Sequence, residues 1–136
     1  MSFFNNLNVG EYQRIKSWLD AMVIGNYIIN KDLTVDVSGS VSISTHAISE
    51  LPIQFNIVKG TFNISMCLNL ITLKGCPIKC DNFFCCNNPK LDSLEGCPSS
   101  VWGFNCWNNL KEFTTDDINM HCAIEQRWDL TVDYWK

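Results

Sequence analysis

The stretch "CDNFFCCNNPKLDSLEGCP", residues Cys80–Pro98, holds four cysteines in nineteen residues and ends on a Gly-Cys-Pro that also stands just before it, at Gly75–Pro77. Taken alone it suggests a metal site or a disulfide framework. Set against its neighbours it becomes one unit of a repeat. "SVSIST", "TFNISM", "NFFCCN" and "GFNCWN" align at a constant offset of 21 residues. Their first apolar positions are Val41, Phe62, Phe83 and Phe104, and two residues on come Ile43, Ile64, Cys85 and Cys106. A third column is His46, Cys67, Asn88 and Asn109, and "LITLKGCP" superimposes on "LDSLEGCP" at the same offset. A single period held by several independent columns is the signature of a repeat architecture.

Each unit has a physical reading. Apolar residues at i and i+2 specify a short strand with one face buried. The pairs Leu70/Leu73 and Leu91/Leu94 suit a tight turn that points both leucines inward. Gly-Cys-Pro then turns the chain back, glycine taking an unusual backbone angle and proline ending the segment. A unit of this size cannot bury its own apolar face, so successive units must stack. The third column follows the strand, where a buried Asn or Cys can hydrogen-bond the turn backbone and build a ladder through the stack. On this pattern His46 stands in for Asn.

The units resemble the degenerate leucine-rich-repeat proteins of tailed bacteriophages and some bacteria, which repeat a theme of tight turn, F-x-C-x-x-N and L-x-x-L-x-G-C-P. "FFCCNNPKLDSLEGCP" (Phe83–Pro98) carries the resemblance most fully, and the lead-in Asn26–Ser44 with Glu50–Phe62 is similar to the N-terminal part of such proteins. It extends from about Ile15 to Phe113. The chain departs from it at "NNLKEF" (Asn108–Phe113), two residues shorter than "NNPKLDSL". The resemblance implies an interaction module rather than an enzyme, in particular a phage-encoded binder or inhibitor of a host (defence) protein.

The expected fold is therefore an α+β repeat: a short leucine-rich-repeat-like solenoid of about four 21-residue units with N- and C-terminal helical caps. One domain over 1–136 divides into a cap at 1–25, hairpin and repeats at 26–113, and a second cap at 114–136. Ile15, Trp18, Leu19 and Met22 lie at helical spacing between Gly10 and Val23. Tyr27–Val37 is expected to form a hairpin that turns at "NKD", with Leu33, Val35 and Val37 facing in. Thr114 or Thr115 followed by Asp116 and Asp117 starts a helix. That helix is expected to run to about Arg127 with Met120, Ala123, Ile124 and Trp128 facing in, before a last strand "DLTVDYW".

Composition narrows the functional classes. At 136 residues, 46% hydrophobic and 18% charged, the chain is globular. A net charge of -4 with scattered Lys and Arg disfavours nucleic acid and anionic membrane as partners. "MSFFNNLNVGEYQ" has neither a basic n-region nor an apolar h-region, so a cytoplasmic location is expected, that of the host cell if phage-encoded, with reduced cysteines. A zinc site would draw on Cys76, Cys80, Cys85, Cys86 and Cys97, but Cys76-x3-Cys80 has no second knuckle at a usual separation. Repeat register instead makes Cys85 and Cys106 core fillers, so no metal and no cofactor is expected. Neither His46 nor His121 makes a convincing dyad with a cysteine, and no nucleotide-binding or hydrolase motif occurs.

If the first apolar column points in, the alternate residues point out. The first two rungs then present small polar groups, whereas the last two place Phe84 and Trp107 side by side, bordered by Asn63, Asn82 and Asn105. These five with Cys86 form the expected partner-binding patch, aromatic anchors within a polar rim. Either the patch is exposed or the C-terminal cap covers it with Met120 or Trp128. A second expectation is a small-ligand protein or sponge, its pocket between the last repeat and the cap lined by Trp107, His121 and Trp128. An open solenoid end also leaves self-association possible.

Overall fold

The computed structural model describes residues 6–125. In chain order the elements are α1 (Asn6–Ala21), β1 (Tyr27–Ile29), β2 (Thr34–Val37), β3 (Val41–Ile43), β4 (Gln54–Val58), β5 (Thr61–Ile64), β6 (Asn82–Phe84), β7 (Ser100–Val101), β8 (Gly103–Asn105), α2 (Thr115–His121) and β9 (Ala123–Ile124). They build a short solenoid of stacked coils with a helix at each end.

The repeat columns become a parallel sheet ordered β3-β5-β6-β8, with Val41 opposite Phe62, Phe62 opposite Phe83, and Phe83 opposite Phe104. All four side chains are buried. Their rings continue a stack that starts on the cap: Trp18 meets Phe55 at 6.5 Å, Phe55 meets Phe62 at 5.1 Å, and Phe62, Phe83 and Phe104 follow at 6.1 and 5.2 Å. Each ring withdrawn from water is worth about 1.5–3 kcal/mol, so this column dominates the core. Leu70, Leu73, Leu91 and Leu94 are buried from the turns.

A second parallel ladder, which the repeat columns do not announce, closes each coil. β2 pairs with β4, and single-residue bridges carry the pairing from Ile57 to Lys79 and from Lys79 to Ser100. β7 then pairs with β9. The hairpin strand β2 pairs antiparallel with β1 as expected, and it is also the first member of this ladder.

Gly75 and Gly96 are equivalent turn positions, and both hold positive φ, 101° and 95°. A Cβ on Gly75 would meet the Ile53 carbonyl at 2.6 Å, and one on Gly96 the Lys74 nitrogen at 2.7 Å. Glycine in Gly-Cys-Pro thus answers both a backbone angle and the close approach of the preceding coil.

The caps differ in detail from expectation. α1 buries Ile15 and Leu19 and packs Trp18 on the core, with Met22 packing just past its end, but begins earlier, at Asn6. α2 starts on a capping box in which Thr114 accepts from the Asp117 N–H while the Asp117 carboxylate accepts from the Thr114 N–H. It ends at His121 rather than near Arg127, because the next residues pair as β9. Only Ile118 of the helix is buried; Met120, expected inside, is 78% exposed, and Ala123 and Ile124 belong to the strand. Trp128 and the expected last strand lie outside the described residues. No helix among the described residues is long and apolar enough to cross a membrane.

Candidate functional site

The third column forms the ladder from Cys67 onward. Asn88 is fully buried; its Oδ1 accepts the Cys67 N–H at 2.9 Å and its Nδ2 donates to the Ile64 carbonyl at 3.0 Å. Asn109 Oδ1 takes the Asn88 N–H in turn, and the Cys67 thiol points at the Ile43 carbonyl. His46 does not join: its side chain is exposed, and its carbonyl accepts from Asn69. The turns differ. Met66, Asn87 and Asn108, each just before a ladder residue, share a left-handed φ of 59°. In the first coil a Thr45 hydroxyl that accepts the Ala47 N–H makes the turn instead.

The strand register brings most of the expected patch together. Ser42, Asn63, Phe84 and Asn105 form one row across four strands, and Asn82 stands between Thr61 and Gly103 in the next. Asn63, Asn82, Phe84 and Asn105 are all part-exposed. The Oδ1 atoms of Asn63 and Asn105 are shielded from solvent and accept no hydrogen bond among the described residues. Cys86 departs from expectation: it is 6% exposed. β6 ends at Phe84 and the left-handed turn follows at Asn87, so strand alternation no longer governs position 86. Trp107 is 51% exposed, beyond the end of β8 and beside the turns.

Part of the exposed apolar surface lies on those turns, at residues the strand reading missed. Leu110 is 63% exposed, Met66 60% and Leu68 42%. Leu68, Pro89 and Leu110 are themselves a column at 21-residue spacing, a signal in the sequence that the strand pattern overshadowed. Leu68, Asn87, Pro89, Asn108 and Leu110 line a shallow hollow of about 370 Å³. Asn108, Asn109 and Leu110 separate it from a second, of about 420 Å³, bounded by Trp107, Leu110, Glu112 and Phe113. This second hollow lies at the last coil, where a pocket was expected, but His121 does not line it, and Trp128 lies outside the described residues.

Ion pairs tie the coils to the C-terminal elements. Lys111 Nζ sits 3.5 Å from an Asp117 carboxylate oxygen and 5.9 Å above the Phe113 ring. Lys79 pairs with Glu125 at 3.3 Å. The Ser100 hydroxyl, the Trp102 indole N–H and Lys79 all favour the charged Glu125 carboxylate and hold it below the usual Glu range.

The cysteines are free thiols, all buried except the part-exposed Cys97. Burial pushes Cys80, Cys97, Cys106 and Cys122 up to about 12, and Cys76 and Cys85 well above the ordinary range. Thiols in that state are protonated at neutral pH and are poor nucleophiles and poor metal ligands. No group of three or more His, Cys, Asp or Glu among the described residues is placed to hold a metal ion. The chain matches no family model, no curated protein and no solved structure.

Proposed function

We propose that this chain is a non-enzymatic protein-binding module that engages its partner through the turn face of the last coils. The observation that carries this reading is Trp107 and Leu110, 51% and 63% exposed, both lining one hollow. Contiguous exposed apolar surface rimmed by polar groups marks interaction sites, and Trp is enriched among the residues that dominate binding energy. Phe84, with Asn63, Asn82 and Asn105 as its polar margin, extends the proposed patch onto the strand rows. Buried, protonated thiols and two exposed histidines supply no nucleophile–base pair for chemistry. The resemblance to phage repeat proteins makes a host factor, encountered in the host cytoplasm, the class of partner to look for.

A lysate pulldown with the wild type and a Trp107→Ala/Leu110→Ala variant of unchanged circular dichroism tests this. Loss of a specific partner in the variant supports it; retention of every partner overturns it. A small apolar ligand is the second reading, because the Trp107 hollow falls within the volume range of ligand sites. Native mass spectrometry of protein taken directly from cells decides it, and a clean unliganded mass counts against it.

A further inference from the structure

The sheet β3-β5-β6-β8 has an open edge at β8, which pairs with β6 and with no other strand among the described residues. The Cys85 N–H donates to the Asn105 carbonyl at 2.9 Å, and the Gly103 N–H donates to the Asp81 carbonyl at 3.1 Å. Alternate residues of a strand send their peptide groups to opposite neighbours, so the N–H and C=O of Phe104 face away from β6. Phe104 is fully buried. Peptide groups withheld from water need a hydrogen-bond partner, and those of Phe104 have none among the described residues.

The second ladder delivers the chain to that edge. Its rungs each lead into the sheet: Val37 precedes Val41, and Val58 precedes Phe62, by four residues, while Cys80 precedes Phe83, and Val101 precedes Phe104, by three. Ile124 is the next rung, opposite Val101. The Glu125 N–H then donates to the Val101 carbonyl at 2.7 Å, and its carboxylate accepts from the Trp102 indole at 3.0 Å. The backbone is thus held alongside the corner that leads into β8.

The residues that follow choose the register. Trp128 stands four residues after Ile124, and Leu130 two further on. They repeat the inward pairs of Phe62 with Ile64 and Phe104 with Cys106, all buried. A spacing of three would instead send Arg127 and Asp129 into those columns, where unpaired charge is costly.

We infer that residues 127–130 add a fifth parallel strand against β8, with Trp128 opposite Phe104 and Leu130 opposite Cys106. The Phe104 N–H then donates to the Arg127 carbonyl, and the Asp129 N–H donates to the Phe104 carbonyl. The occupant of this edge is the chain itself. Asp129 follows Asn105 in the outward row and sets a carboxylate at the end of the candidate binding patch.

Nuclear magnetic resonance of the full chain tests this. Expected are cross-strand Overhauser contacts that set Trp128 opposite Phe104, together with a slowly exchanging Phe104 amide. Asp129→Pro removes the donor to the Phe104 carbonyl. It should speed exchange at the Phe104 amide by about tenfold, the equivalent of one hydrogen bond, while the Phe62 and Phe83 amides stay protected. A Phe104 amide that exchanges freely in the wild type overturns the inference, as does exchange unchanged by Asp129→Pro or a different residue opposite Phe104. Should the proline variant fail to fold, the wild-type contacts decide alone. In a mixture of labelled and unlabelled chains, Phe104 contacts found only between copies assign the edge to a second molecule and likewise overturn the inference.

Discussion

The side chain of Asn88 joins two coils at once, since its Oδ1 accepts the N–H of Cys67, 21 residues earlier, while its Nδ2 donates to the carbonyl of Ile64. Both backbone groups belong to the preceding coil, and Asn88 has no exposure to water. Replacing Asn88 with Ala leaves two buried backbone groups without partners, each costing about 1–3 kcal/mol. Asn88→Ala should therefore cost about 2–5 kcal/mol in chemical denaturation. His46→Ala, in the same sequence column but outside the ladder, should stay within about 0.5 kcal/mol. Equal losses at the two positions would show that the ladder geometry is wrong.

Val23 offers a stabilising change. α1 ends in two crossed hydrogen bonds, from the Ile24 N–H to the Leu19 carbonyl at 2.9 Å and from the Val23 N–H to the Asp20 carbonyl at 3.0 Å. This arrangement needs a left-handed residue at position 23, usually glycine. Val23 takes that conformation with φ of 59° and is 90% exposed, so its β-branched side chain strains the backbone and buries almost nothing. Relief of about 1–3 kcal/mol of strain outweighs the about 0.5–1 kcal/mol that glycine's unfolded-state freedom costs. Val23→Gly should raise Tm by a few degrees in a thermal melt, and a lowered Tm would refute the account.

Gly96 predicts the opposite sign. At φ of 95° and with the Lys74 nitrogen 2.7 Å from a built Cβ, Gly96→Ala adds backbone strain and pushes two coils apart. A loss of at least about 1–3 kcal/mol is expected from the strained conformation alone. Gly10, which has open space around its Cβ position and lies in α1, should gain up to about 1 kcal/mol on the same substitution. The pair is read by urea denaturation.

Glu125 predicts a pH dependence. Its carboxyl is held low by Ser100, Trp102 and Lys79, so the folded state favours the charged form. The stabilisation is present above the unfolded-state Glu value of about 4.3 and is lost as pH falls through the lower folded-state value. Glu125→Gln should lower Tm at pH 7 and bring the variant and wild type together as the medium is acidified below that range. A gap between them that persists or widens in acid contradicts the assignment.

The thiols predict resistance to alkylation. Protonated and mostly buried, the cysteines should stay unlabelled by iodoacetamide at neutral pH and react together in denaturant. Mass spectrometry counts the adducts. Rapid labelling of any of the eight in the native protein would mark a reactive thiol that these surroundings do not account for.

Much of the architecture is legible in the chain because the forces that set it act within one unit. Period-two alternation sends Phe62, Phe83 and Phe104 inward, the recurrence of Gly-Cys-Pro marks the return, and Thr114 with Asp117 starts α2. The second parallel ladder is not legible, since one of its rungs is the single residue Lys79, too short to leave a periodic signal.

The candidate site divides in the same way. The row of Asn63, Phe84 and Asn105 follows from the register of a local repeat, whose spacing the sequence determines by itself. The burial of Cys86, the exposure of Leu110 and Met120, and the exclusion of His46 from the ladder were decided only by tertiary structure. Each depends on where the chain goes after a strand ends, and which coil then lies against it. Stacking contacts between coils, not the alternation within one, settle what water reaches.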